Sequence, residues 1–112
     1  MGMEQAHLNF VEGASLHITG LRTSAGPGIE FLQYLKPGPG KPYPADSRTD
    51  DIWHWQTTLI TDNATKLYDQ LTAFGYKLIS KNLVIFQNEN GTNSKAFIIR
   101  DPDGHALLIR EN

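Results

Sequence analysis

His54 and Gln56 stand two residues apart in the run Asp-Asp-Ile-Trp-His-Trp-Gln-Thr-Thr-Leu-Ile-Thr-Asp, residues 50–62. An extended backbone sends successive side chains to opposite faces. His54, Gln56, Thr58 and Ile60 therefore share one face, and Trp53, Trp55, Thr57 and Leu59 share the other. An imidazole and a carboxamide one pleat apart aim two nitrogen- or oxygen-bearing side chains at whatever the sheet curves around. The opposite face is apolar enough to lie on a helix, so both tryptophans are expected in the core. If the chain has a site, this strand is its floor.

Glu30 is the carboxylate whose setting asks most of the chain. It stands between Ile29 and Phe31 in Ile-Glu-Phe-Leu-Gln-Tyr-Leu, residues 29–35, and shares a face with Leu32 and Tyr34. A carboxylate among apolar neighbours is costly unless paired, hydrated or coordinated. Metal ligation or general-base work would account for it; so would a solvent-facing position on an incompletely covered sheet. Tyr34 and Thr58, on the same faces as Glu30 and Gln56, are the expected substrate contacts. His17 shares a face with Thr19, and His105 follows a turn glycine and is expected at the surface. Asp101 and Asp103 are accounted for by turn chemistry rather than as an acid–base pair.

These side chains need a frame. Residues 15–23 alternate, with Leu16 and Ile18 on one face and Gly20 marking an irregularity. Ala-Gly-Pro-Gly at 25–28 is turn chemistry and 29–35 a second strand, so 15–35 reads as a β-hairpin. Residues 1–13 are weakly patterned and expected to be partly disordered. Four of the six prolines, Pro37, Pro39, Pro42 and Pro44, fall in 36–48. Proline fixes φ and lacks a donor, so this stretch reads as an extended connector: a passive linker, with a lid over a pocket as the sharper alternative.

Asp62 or Thr61 is expected to cap a helix with Ala64, Leu67, Leu71 and Phe74 at helical spacing, stopped by Gly75. Strands follow at 76–79 and 83–87, then a polar loop at 88–94. Strands at 95–100 and 105–111 are joined by Asp-Pro-Asp-Gly at 101–104, whose residue order suits a type I turn ending in a left-handed glycine.

The order strand, helix, three strands, together with Asp-Pro-Asp-Gly-His-Ala-Leu-Leu-Ile at 101–109, resembles the vicinal oxygen chelate superfamily, the group of glyoxalase I, bleomycin-resistance proteins and extradiol dioxygenases. The resemblance implies an α+β fold built on a βαβββ module in a mixed, curved sheet. Two such modules usually pair into an open barrel around a metal or ligand. It covers 51–112 as a complete module and 15–35 as the remnant hairpin of a preceding one, with 36–50 as the connector, in one domain spanning 1–112. The hairpin ending Gly28-Ile-Glu-Phe-Leu-Gln is similar in kind to the one ending Gly104-His-Ala-Leu-Leu-Ile.

Family members usually hold their metal with His or Gln on a module's first strand and Glu on its last. Carried over, Glu30 matches the first-module glutamate, and Gln56 or His54 the second-module first-strand ligand. The second-module glutamate falls at Leu108, a departure from the pattern. The resemblance thus implies a divalent metal (Zn, Ni, Mn or Fe) with one or two of its ligands remaining.

Two functions follow as expectations. One is metal-dependent chemistry of glyoxalase or dioxygenase type on a small oxygen-bearing substrate, with Glu30 as ligand or base. The other is metal-free sequestration of a small organic molecule, as in the bleomycin-resistance branch. A net charge of −2 gives no footprint for nucleic acid, and no apolar run approaches a transmembrane length. The chain has no cysteine and no signal-peptide pattern at its start, so a cytoplasmic protein is expected. Unpaired strand edges in the 15–35 hairpin predict a homodimer.

Overall fold

The computed structural model describes residues 3–112. The fold is α+β and divides into two compact units, Met1–Pro42 and Tyr43–Asn112.

The first unit holds a helix, α1 (Met3–Asn9), and two strands, β1 (Ser15–Leu21) and β2 (Ile29–Lys36), paired antiparallel. The helix occupies part of the 1–13 stretch whose weak pattern suggests partial disorder, of which residues 1–2 lie outside the described residues. Its last residue, Asn9, donates its side-chain amide to the Tyr34 hydroxyl, so a contact distant in sequence ties it to the hairpin. Gly20 lies in register opposite Glu30, and the irregularity falls between Ser15 and Leu16 instead. A glycine in a strand leaves the ladder intact when its φ stays extended.

The second unit runs β3 (Gln56–Thr61), α2 (Ala64–Ala73), β4 (Val84–Gln87), β5 (Asn93–Arg100) and β6 (Ala106–Glu111). Its sheet is mixed, in the order β3-β6-β5-β4, with β3 parallel to β6 and the other pairs antiparallel. The α2 face of the sheet carries the core: Ala64, Phe97, Ile99 and Ile109, with Leu59, Leu67, Tyr68, Leu71, Leu78, Leu83 and Leu107 packed against them. Tyr68 meets Phe97 edge to face, ring centroids 5.4 Å apart.

Asn63, not Asp62 or Thr61, caps α2: its carboxamide oxygen accepts the Lys66 amide at 2.8 Å. Thr61 serves one step earlier, its hydroxyl accepting the Asn63 amide at 3.2 Å. Asn63→Ala is expected to cost about 1 kcal/mol, read as a lower urea midpoint, whereas Asp62→Ala should change little. At the far end Gly75 adopts a φ of 84°. The amides of Gly75 and Tyr76 return to the carbonyls of Thr72 and Leu71, the double bond of a Schellman cap. Phe74 is the C-cap and 80 % exposed, so it does not continue the buried stripe of Leu67 and Leu71.

β3 begins later than expected. The Asp51 carboxylate accepts the Arg48 amide at 2.7 Å and the Asp51 carbonyl accepts the His54 amide at 2.9 Å, which curls the chain just before the strand. Such local bonds compete with a ladder. Trp53 and Trp55 therefore precede the pleat and are 52 % and 71 % exposed, not core. Residues 76–79 form a single bridge, Leu78 to Ile99, rather than a strand. There the Ser80 hydroxyl takes the place of a neighbouring strand, accepting the Ile98 amide at 2.9 Å. The 101–104 turn forms as expected, with the Gly104 amide on the Asp101 carbonyl at 3.0 Å and Gly104 at φ 96°.

No helix among the described residues is long and apolar enough to cross a membrane.

Candidate functional site: the sheet face opposite the helix

Residues paired across a ladder share a face, so the register defines what the sheet presents opposite α2. One row is Gln56, Ala106 and Arg100; the next is Thr58, Leu108 and Ile98; the third is Ile60, Arg110, Ala96 and Val84. Ile60 and Val84 are 56 % and 47 % exposed. The face thus has a polar end at Gln56, an apolar middle and a cation at the opposite end.

His54 and Gln56 are brought together, His54 Nε2 lying 3.2 Å from Gln56 Oε1. The tautomer that makes this bond carries its proton on Nε2, which leaves Nδ1 as an acceptor. That atom is buried and has no hydrogen-bond partner. Thr58 shares the exposed face with Gln56 and is itself exposed.

Glu30 and Tyr34 lie in the other unit. Their ladder partners Gly20 and Leu16, with Ile18 and Leu32 between, place them on one face of the hairpin. Glu30 is exposed there, and Tyr34 is half-buried and bonded to Asn9. His17 is exposed. So is His105, whose Nδ1 pairs with Asp101 at 2.9 Å. Asp101 also accepts the amides of Asp103 and His105, as a turn residue does. Among the described residues no group of three or more His, Cys, Asp or Glu is arranged to hold a metal.

The residues that local patterning missed sit at the Gln56 end. Arg100 is 6 % exposed. Its Nη1 donates to the Gly104 carbonyl at 2.7 Å and its Nη2 to the Ser47 carbonyl at 3.3 Å, while its guanidinium lies 4.9 Å from the centroid of the Tyr43 ring. Lys77 donates to the Ala45 carbonyl at 2.9 Å, and the Trp53 indole to the Ser47 hydroxyl at 3.2 Å. From Tyr43 onward the proline-rich stretch is thus a strap bonded to the second unit rather than a passive linker. An aromatic between Pro42 and Pro44 was the signal available in the sequence.

Gly104 lets the strap close. A Cβ on Gly104 would stand 2.6 Å from Tyr43 Cγ, and the residue's φ of 96° disfavours any side chain. Gly104→Ala is expected to destabilise the second unit by about 1–3 kcal/mol, and Tyr43→Ala should relieve part of that in the double variant. Denaturant midpoints of the two singles and the double decide it; additive losses would show that ring and glycine do not meet.

No family model matches the chain, and no curated protein does. Solved structures do match. An integron cassette protein from the mobile metagenome of V. cholerae superposes with a TM-score of 0.44 at 16 % identity, over 84 % of this chain and 75 % of that one. A virulence protein from Salmonella typhimurium gives 0.47 at 17 % identity, over 95 % and 82 %.

Proposed function

We propose that this chain is a vicinal-oxygen-chelate-like protein that holds a small organic molecule on the exposed face of its four-stranded sheet, without a resident metal. The second unit has the βαβββ order that the resemblance implies, with α2 on one face and the other face open. The observation that carries the binding reading is Leu108. It stands between Thr58 and Ile98 in the middle of that face, where a metal-using relative of this kind would have a glutamate. A leucine supplies neither charge nor a donor, and it adds an apolar wall.

The donor set of the second unit does not fit a metal centre. His54 and Gln56 are two donors already bonded to each other, and Glu30 belongs to the other unit. Purified protein is expected to carry no stoichiometric Zn, Ni, Mn or Fe, and added Ni²⁺ or Zn²⁺ should raise its melting temperature by no more than about 1–2 °C. Leu108→Glu should enlarge that stabilisation. One tightly bound metal per chain, lost in His54→Ala, would overturn the reading.

The glyoxalase- or dioxygenase-like alternative has one specific support, the unpartnered Nδ1 of His54 beside Gln56. Under it the metal would polarise oxygens of the substrate. The hairpin of the first unit makes a twofold homodimer the proposed assembly.

A further inference from the structure

At the β4–β5 end of the sheet, Phe86, Gln87, Asn88, Glu89, Asn90 and Arg110 line an open depression of about 560 Å³. That volume is in the range that takes small organic ligands. The Arg110 guanidinium lies 5.4 Å from the centroid of the Phe86 ring, and its Nη2 donates to Asn88 Oδ1 at 2.9 Å. Stacking on one side and a bond on the other fix the plane of the fork; Asn88 takes a single N–H of Nη2, so the other Nη2 N–H and its neighbour on Nε or Nη1 still form a fork. Neither contact neutralises the charge. No carboxylate of the described residues comes within 4.0 Å of Arg110, although Glu89 lines the same depression. A guanidinium held in place without a counter-ion is what bidentate capture of a carboxylate needs.

We propose that Arg110, oriented by Phe86 and Asn88, anchors the carboxylate of an organic monoacid whose apolar body lies over Ile60, Val84 and Leu108. This rests on the reading that the exposed face is a binding site, and it names the ligand class. The next row along the face is Thr58, Leu108 and Ile98, so a head group at the guanidinium leaves its tail on the apolar middle, with Ile60 and Val84 flanking Arg110 in its own row. The Glu89 carboxylate in the depression disfavours a second negative charge on the ligand, which selects a monoacid over a diacid.

The test compares 4-phenylbutyrate with its neutral amide in NMR titrations of the full chain, following the Arg110 Nε–H and the Phe86 ring. The acid is expected to bind about tenfold more tightly than the amide, and the preference should shrink as salt rises. Arg110→Gln should abolish the preference, bringing the acid's affinity down to that of the amide. Arg110→Lys should keep part of it, since an ammonium carries the charge without the fork. Phe86→Leu should weaken it by loosening the guanidinium. Equal binding of acid and amide to this face, unaltered by Arg110→Gln, overturns the anchor and leaves the binding reading standing. Absence of any shift at Arg110 and Phe86 with either probe also overturns the anchor. The metal measurements then decide the binding reading independently.

Discussion

Phe97→Ala is expected to lower the stability of the second unit by about 3–5 kcal/mol, because it removes the largest fully buried side chain among the described residues. Phe97 is 1 % exposed and sits on β5, a strand paired on both sides, opposite Ile109 on β6. Removing its ring leaves a cavity bounded by the sheet and α2, which close only partly around it. It also deletes the edge-to-face contact with Tyr68, worth about 0.5–1.5 kcal/mol beyond its area. A domain of this size is stable by about 5–15 kcal/mol in total, so the variant should lie close to its threshold at physiological temperature. Phe97→Leu, which keeps much of the volume, should lose about 1–2 kcal/mol. Phe74→Ala is the matched control: the same residue type at 80 % exposure should change stability by less than about 0.5 kcal/mol. Urea unfolding of the three variants orders them. Equal losses for Phe97→Ala and Phe74→Ala would mean that the core lies elsewhere.

What the sequence disclosed follows from how far each signal reaches. The stripe of Ala64, Leu67 and Leu71, the stop at Gly75 and the Asp101–Gly104 turn all rest on interactions within about one helical turn, and each formed as its residues dictate. Period-two alternation likewise put Gln56, Thr58 and Ile60 on the exposed face. It failed at Trp53 and Trp55 because alternation assumes a ladder, and the Asp51 carboxylate had already turned the chain. The strap was illegible for a different reason. Arg100 and Ser47 meet although 53 residues apart, and no local period encodes that contact. Arg110 shows the same limit at the other end of the sheet. In an alternating strand it reads as a solvent-facing charge, and its bond to Asn88, 22 residues away, makes it a candidate anchor.

The second large expected effect is on assembly. Light scattering should report twice the 12.5 kDa of one chain at about 10 µM, given a submicromolar dissociation constant. β1 and β2 pair with each other and with no further strand among the described residues, so each leaves an open edge. A two-stranded hairpin is marginal by itself, and open edges recruit other strands. Leu21, Phe31 and Leu35 alternate onto one face of this hairpin at 56 %, 37 % and 55 % exposure, an apolar surface that water penalises. Pairing or packing the hairpin against its twofold mate buries that surface twice for one set of residues, which is why self-association is the economical solution for such an element. The double variant Phe31→Asp, Leu35→Asp places like charges where the two copies would meet. It should shift the mass to that of one chain at about 10 µM, with the urea midpoint of the second unit's core little changed, since Phe97 and its neighbours lie in Tyr43–Asn112. A wild-type chain that stays a compact monomer at ten times that concentration would sink the dimer, and the exposed face of the hairpin would then need another partner.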